Sequence, residues 1–86
     1  MNMENQVSEP VEVIAYFHNR QIEIMRFKWN NTVYNVSGVN SSWKIPCSGH
    51  YEYHFSLTCR KQKVICELAY NLSDFKWQLI QYENLE

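Results

Sequence analysis

Apolar and polar residues alternate strictly over the nine positions of Tyr51–Cys59. Alternation with a period of two places every second side chain on the same face, which predicts an antiparallel strand with one buried face. The segment Val64–Tyr70 carries a second alternating set, with apolar residues at every second position. With Gln62–Lys63 as a two-residue turn, the two apolar sets face each other across a β-hairpin, and Cys59 lies opposite Cys66.

The segment Met25–Val36 predicts another hairpin, because its two alternating arms are joined by Asn30–Asn31. Asparagine adopts positive φ more readily than other residues that carry a side chain, so this pair suits a tight primed turn. A turn here places Phe27 opposite Tyr34 and Met25 opposite Val36. We therefore expect most of the apolar mass of this hairpin on one face.

The rest of the chain contains no convincing apolar period of three to four residues, so no helix is predicted. Gly38 interrupts the alternation and predicts a bulge or bend. A loop is expected at Asn40–Ser42 and a further break at Pro46–Gly49, which leaves no strand between residues 38 and 50. The predicted strands are Val11–His18, Ile22–Trp29, Thr32–Ser37, Tyr51–Cys59, Val64–Tyr70 and Phe75–Tyr82.

These elements predict an all-β fold of about six antiparallel strands in a meander. We expect them to form a small SH3-like barrel or a strongly twisted sheet, and an open sheet that dimerises is the alternative. The 86 residues suffice for one domain. Residues 10–83 are predicted to form it, with a flexible N-terminal tail at residues 1–9 and a C-terminal tail at residues 84–86.

The charge balance argues against a protein that binds nucleic acid by phosphate contacts alone. Eight Lys and Arg residues stand against nine Asp and Glu residues, for a formal charge of −1, whereas phosphate binding needs a basic excess. The polar N-terminus does not resemble a signal peptide, and no apolar run approaches the roughly 18 residues of a membrane span. With three cysteines, an odd number, we expect a cytoplasmic protein with reduced thiols and no membrane partner.

Candidate chemistry is sparse, and we predict no catalytic site, no cofactor and no metal. Cys47 and His50 have a C-x₂-H spacing and, with Cys59 and Cys66, would make four soft ligands for zinc. The simpler interpretation is that Cys59 and Cys66 are small buried apolar residues. A nucleophile also needs a base that is itself oriented by a third group, and no such spacing occurs here.

The aromatic content points to an interaction surface. Thirteen Phe, Trp and Tyr residues are more than a small barrel easily encloses, so some of the rings should be exposed. Exposed aromatic patches commonly mark contacts with a protein partner or with a second copy of the chain. The candidates lie near strand ends or on the second face of a strand: Tyr16, Trp29, Trp43 and Tyr82.

A basic turn gives the rival interpretation. Arg60, Lys61 and Lys63 cluster at a predicted hairpin tip. Such a tip is usually solvated and keeps a sheet edge from pairing with another chain. It could also contact phosphates while exposed rings stack on bases, so a nucleic-acid-binding accessory domain is the alternative function.

An ordered set of motifs resembles a family of short bacterial domains of unknown function. The motifs are a first strand and turn at Val11–Gln21, then Phe27–Val36, Trp43, Tyr53–Phe55, Glu67–Tyr70 and Phe75–Leu79. Members of this family occur alone or at the C-terminus of proteins that resemble Y-family DNA polymerases of mutagenic repair. The resemblance implies a bacterial source and kinship with repair proteins, and it supplies no catalytic residues.

Overall fold

The structure, a computed structural model, describes residues 2–85 and consists of eight antiparallel β-strands in two sheets. The predicted all-β class is therefore confirmed. The strands are β1 (Asn5–Pro10), β2 (Glu12–His18), β3 (Gln21–Trp29), β4 (Thr32–Asn35), β5 (Gly38–Cys47), β6 (His50–Cys59), β7 (Val64–Asn71) and β8 (Lys76–Asn84).

The strands do not close into a barrel. One sheet has the order β1-β8-β7-β6-β5 and the other has the order β2-β3-β4. Each sheet therefore keeps two edges, formed by β1 and β5 in the first and by β2 and β4 in the second. This arrangement replaces the predicted barrel of about six strands with two open, packed sheets.

The core lies between the two sheets. From the three-stranded sheet, Ile24 and Phe27 project inward, and they join the inward-facing residues of β6, β7 and β8. The most deeply buried side chains are Leu57, Leu68, Leu79, Cys59 and Cys66. The alternation that predicted β6 and β7 is thus the inward set of the larger sheet.

The predicted Asn30–Asn31 turn is confirmed. Both residues have positive φ, 50° and 63°, and Phe27 pairs with Tyr34, whose ring stacks on it at 4.9 Å. The prediction that Met25 shares the inward face was wrong. The pairing of β2 with β3 contains a bulge at this point, so Ile24 and Phe27 both turn inward and Met25 is 49% exposed.

The β6–β7 hairpin is present, but its predicted turn was wrong. Four residues, Arg60–Lys63, connect the strands, and Lys63 N–H donates to the Arg60 carbonyl at 3.2 Å. Cys59 therefore pairs with Val64 rather than with Cys66. Because the register differs by two residues, the same side chains still face the core.

Both predicted tails were wrong within residues 2–85, while Met1 and Glu86 lie outside the described residues. Asn5–Pro10 forms β1 and pairs with β8. Met3 is buried, and its N–H donates to Gln81 Oε1 at 2.8 Å. At the other end Asn84 still belongs to β8, and Leu85 N–H donates to the Lys63 carbonyl at 2.7 Å.

The segment predicted as bend and loop also forms a strand. β5 pairs with β6 along its length, with a bulge between Val39 and Ser41. Every residue of β5 except Cys47 is exposed. Because an exposed edge strand buries little on either face, it has no hydrophobic period for the sequence to reveal.

Candidate functional site

A groove of about 670 Å³ lies between the β2–β3 hairpin of one sheet and strands β5 and β6 of the other. This volume is in the range of sites that bind small molecules or peptide side chains. We call it the groove. The hairpin lines it with His18, Arg20, Gln21, Ile22 and Glu23, and the larger sheet lines it with Val39, Ser42, Trp43, Lys44, Tyr53 and Phe55.

The hairpin side of the groove is shaped by a tight turn. Asn19 and Arg20 have positive φ, 47° and 60°, and His18 pairs with Gln21 across them. Two consecutive residues with positive φ give the primed turn that matches the twist of the flanking strands. This turn carries Arg20, which lines the groove.

The other side of the groove is aromatic. Phe55 belongs to the core, Tyr53 packs against the core, and Trp43 is 38% exposed on the edge strand. The Trp43 ring stacks on the His54 imidazole, with centroids 5.7 Å apart and planes inclined by 24°. Because Trp43 pairs with His54, its ring lies on the outer face of the larger sheet, and the aromatic wall of the groove is formed by Tyr53 and Phe55.

The charged groups of the groove leave an excess of positive charge. Lys44 Nζ lies over the Tyr51 ring at 5.0 Å and the Tyr53 ring at 6.0 Å, which are cation–π distances. Within residues 2–85 neither Lys44 nor Arg20 forms an ion pair with a carboxylate. Glu23 is hydrogen-bonded to His18 Nε2 at 3.2 Å. Two cations without carboxylate partners therefore border an aromatic wall.

The free edge of β5 runs along the groove. β5 pairs only with β6 among the strands, and its edge makes no other backbone hydrogen bond in the described chain. It ends at the two-residue turn Ser48–Gly49, where both residues have positive φ, 43° and 88°. An unpaired row of N–H and C=O groups is a template on which another strand can form.

The structure separates the four aromatic residues that the sequence singled out. Trp29 and Tyr82 pack together at 5.3 Å against the core, and the Trp29 indole donates to Glu9 Oε1 at 2.9 Å. Tyr16 is 60% exposed and its ring lies 4.8 Å from the His18 ring. Trp43 belongs to the edge strand beside the groove but turns its ring to the outer face, and Tyr16 adjoins the groove through His18.

Tyr16 also belongs to an exposed apolar face on the smaller sheet. Ile14 and Tyr16 point outward from β2, and Met25 and Val33 are exposed on β3 and β4. Their exposed fractions lie between 45% and 60%. No other element covers this face within the described chain, so the smaller sheet buries only its inner side.

The basic turn is well ordered by its backbone. Arg60 N–H donates to Ser37 Oγ at 2.8 Å. Arg60, Lys61 and Lys63 are exposed, and none has a carboxylate partner among residues 2–85. The exposed rings of Tyr51 and Phe75 lie at the opposite end of the larger sheet, so these two rings do not adjoin the basic turn.

The candidate zinc ligands do not come together. Cys47 pairs with His50 at one end of β6, while Cys59 lies at the other end. Nine positions in a strand span about 30 Å. Within residues 2–85 no group of three or more potential ligands is close enough to hold a metal ion. His50 begins β6, and its buried Nε2 has no hydrogen-bond partner among residues 2–85.

Cys59 and Cys66 are buried free thiols, as the simpler interpretation predicted. They belong to adjacent strands, two pairs apart in register, and their side chains are hydrogen-bonded. This hydrogen bond and, after it, burial raise the pKa of the Cys66 thiol well above its ordinary value. Burial of the two thiols and the raised pKa of Cys66 favour a packing role over reactivity.

The outer face of the larger sheet carries a buried polar row that the sequence did not reveal. His54 is hydrogen-bonded to Glu67, Gln81 Nε2 donates to Glu67 Oε1 at 2.7 Å, and Gln6 Nε2 donates to Gln81 Oε1 at 2.6 Å. The row crosses β6, β7, β8 and β1. Because its polar groups satisfy one another, it stabilises the sheet without a ligand.

Comparison with known proteins returns no relative: no family model, no curated protein and no solved structure matches this chain. Among residues 2–85, no helix has the length and apolar character needed to cross a membrane. What the chain does is therefore inferred from its own surfaces.

Proposed function

We propose that this chain is a non-enzymatic protein-interaction module that holds a segment of a partner protein in the groove. The observation that carries the proposal is the groove itself, where the Tyr53 ring and the Lys44 ammonium adjoin a free strand edge and Arg20 lines the opposite side. Tyrosine and arginine are among the residues enriched at the centres of protein interfaces.

A peptide selection tests this proposal. The folded chain is used to select binders from a library of random displayed peptides, and the selected peptides are then measured against variants. We expect Tyr53→Ala to weaken binding by about tenfold or more, because aromatic anchors carry much of an interface's binding energy. Phe75→Ala is the matched control, since Phe75 is 73% exposed at a distant turn. Selected peptides that bind both variants as tightly as the parent chain would refute the proposal.

Self-association is a second form of the same function, supported by the exposed apolar face of the smaller sheet. A second copy covering Ile14, Tyr16, Met25 and Val33 would bury side chains that are now in water. Light scattering across protein concentration tests it, with Tyr16→Glu as the disrupting variant. A strict monomer at all concentrations excludes this form and leaves the groove proposal unaffected.

Nucleic-acid binding is the second candidate function, favoured by the unpaired cations Arg60, Lys61 and Lys63. It predicts salt-sensitive binding to short single strands, because phosphate contacts release counterions. Lys61→Glu combined with Lys63→Glu should then weaken binding for every sequence tested. No binding at low salt, or binding that the double variant leaves unchanged, removes this candidate.

A bacterial cytoplasm and kinship with repair proteins stay predictions of the sequence. The free thiols of Cys47, Cys59 and Cys66 support the reducing compartment. Localisation of a tagged chain in cell fractions, and the identity of neighbouring genes, would test the two predictions separately.

A further inference from the structure

We propose that the partner segment is an extended, acidic peptide that adds to the edge of β5 as a further strand of the larger sheet. This inference rests on the proposed function and specifies the chemistry of its partner. Strand addition at an exposed sheet edge is a recurring mode of peptide recognition. In that mode the backbone ladder supplies affinity, and pockets for alternate side chains supply specificity.

The direction of the free backbone groups follows from the β5–β6 pairing. Cys47 and His50 close the two-residue turn, so they form a hydrogen-bonded pair. Hydrogen-bonded and non-hydrogen-bonded pairs alternate from there, and Lys44 and Ser42 fall in non-hydrogen-bonded pairs with Tyr53 and Phe55. The N–H and C=O groups of Ser42 and Lys44 therefore point away from β6, towards the free edge.

The same two residues place their side chains on the groove side of the sheet. Ser42 and Lys44 both line the groove, because residues two apart in a strand share a face. A strand that accepts the free hydrogen bonds of β5 would thus project every second side chain over the groove. The backbone groups and the side chains that would bind a partner therefore lie together at Ser42 and Lys44.

Two features limit the ladder to a short segment. Pro46 is the next residue whose backbone faces the free edge, and proline has no N–H to donate. In the other direction, the bulge between Val39 and Ser41 interrupts the regular pairing. The usable edge is therefore centred on Ser42–Lys44, which suits a partner segment of about five residues rather than a long strand.

The charges of the groove specify an acidic segment. Lys44 and Arg20 lack carboxylate partners, and the one nearby carboxylate, Glu23, is held by His18. The rings of Tyr53 and Phe55, which line the same groove, suit an apolar side chain. The expected pattern is acidic, apolar, acidic at the alternate positions that face the groove.

The same charges argue against a second copy of this chain as the occupant of β5. Pairing two β5 strands would bring both Lys44 side chains onto one face of a continuous sheet, beside two groove mouths of like sign. Like charges close together across strands are destabilising. A partner of opposite charge avoids this repulsion.

The test uses a labelled heptapeptide, Thr-Glu-Thr-Val-Thr-Glu-Thr, whose Glu and Val residues occupy one face. Fluorescence anisotropy at low salt should show it binding at least about tenfold more tightly than the same peptide with Lys in place of Glu. Arg20→Glu combined with Lys44→Glu should invert that preference. Lys61→Glu is the matched control for charge and should leave the preference intact.

The backbone ladder is tested on the peptide, so that folding of the protein is not at issue. N-methylation of the two amides that face β5 should weaken binding about tenfold, because each methyl removes a ladder donor. N-methylation of the two neighbouring amides, which face away, serves as the control. A Ser42→Pro variant, which removes a donor from the other strand, should show the same loss.

The outcomes separate this inference from the proposed function. If the heptapeptide does not bind, or if both methylated peptides bind equally well, the inference is overturned. The proposed function then stands or falls on whether the peptides selected by display still require Tyr53. If the selected peptides are basic or helical but require Tyr53, the groove is a binding site with a different partner chemistry.

Discussion

The imidazole of His54 is hydrogen-bonded to the carboxylate of Glu67 across β6 and β7, beneath the ring of Trp43. Both residues are buried, with 6% and 8% of their surface exposed. The pair therefore joins the polar row of the outer face to the Trp43 ring on the edge strand β5. Loss of the pair should lower the free energy of unfolding and change the position of the Trp43 ring.

Removing one member of this pair leaves the other buried without its partner. We expect His54→Ala and Glu67→Ala each to lower the free energy of unfolding by about 1–3 kcal/mol. Because the residues are in contact, the double variant should cost less than the sum of the two. Urea unfolding of the four proteins measures the coupling, and strictly additive losses would show that the contact does not stabilise the fold.

The packing between the sheets makes a separate prediction. Phe27 is 2% exposed and stacks on Tyr34, so Phe27→Ala should lower the free energy of unfolding by about 3–5 kcal/mol. Phe75→Ala makes the same chemical change at a side chain that is 73% exposed, and it should change stability by less than about 0.5 kcal/mol. Thermal unfolding followed by circular dichroism compares the two variants, and equal losses would contradict the assigned core.

The turn at Asn30–Asn31 predicts that alanine and glycine at position 31 have different effects on stability. Asn31 has φ of 63°, where a Cβ costs an ordinary residue about 1–2 kcal/mol and glycine nothing. Asn31→Ala should therefore destabilise the protein, while Asn31→Gly should be neutral or stabilising, because Asn-Gly is the preferred pair for this turn. A protein that Asn31→Gly weakens more than Asn31→Ala would contradict the turn geometry.

Thiol reactivity distinguishes Cys47 from the buried pair. Cys47 is half-buried, whereas Cys59 and Cys66 are buried in the core. A disulfide reagent at neutral pH should therefore modify one thiol per chain rapidly and all three only after unfolding. The Cys47→Ser variant should lose the rapid phase, and a rapid phase that persists in it would show that the core thiols are accessible.

The same pair predicts how stability depends on alkaline pH. The hydrogen bond to Cys59 and burial raise the pKa of Cys66 in the folded chain above its ordinary value of 9.0. Above that pH the unfolded chain loses the Cys66 proton while the folded chain keeps it. The free energy of unfolding should then fall with rising pH, by up to about 1.4 kcal/mol per pH unit from this thiol.

Cys66→Ala is the control for that pH dependence, because it removes this thiol from both states. The parent protein should lose stability faster than the variant above pH 9, and the two should run parallel at neutral pH. Curves that stay parallel throughout would mean that the Cys66 thiol ionises equally in the folded and unfolded chains.

The strands that the sequence predicted are those that bury one face. β6 and β7 alternate because Leu57, Cys66 and Leu68 face the core while their neighbours face outward. β1 and β5 gave no such signal, since they are largely exposed edge strands interrupted by bulges. A strand shows alternating apolar and polar residues when one of its faces is buried. An edge strand that buries little of either face shows no such alternation.

The groove could not be predicted from the sequence, for a related reason. Trp43 stood out as a large ring within a polar stretch, but its ring lies with His54 on the outer face of the larger sheet. Arg20 and Lys44 reach the groove from two different sheets, and no local spacing relates a turn residue of one sheet to an edge residue of the other. Only the packing of the sheets brings them together.

The pairing of β1 with β8 settles where a longer polypeptide could join this domain. Asn5 lies beside Tyr82 on the edge of the sheet opposite β5, about 19 Å away across four strand spacings. Extra sequence attached before residue 5 or after residue 84 would therefore emerge on the far side from the groove. A tag, a tether or a fused neighbour can be carried there without blocking the approach to Ser42 and Lys44.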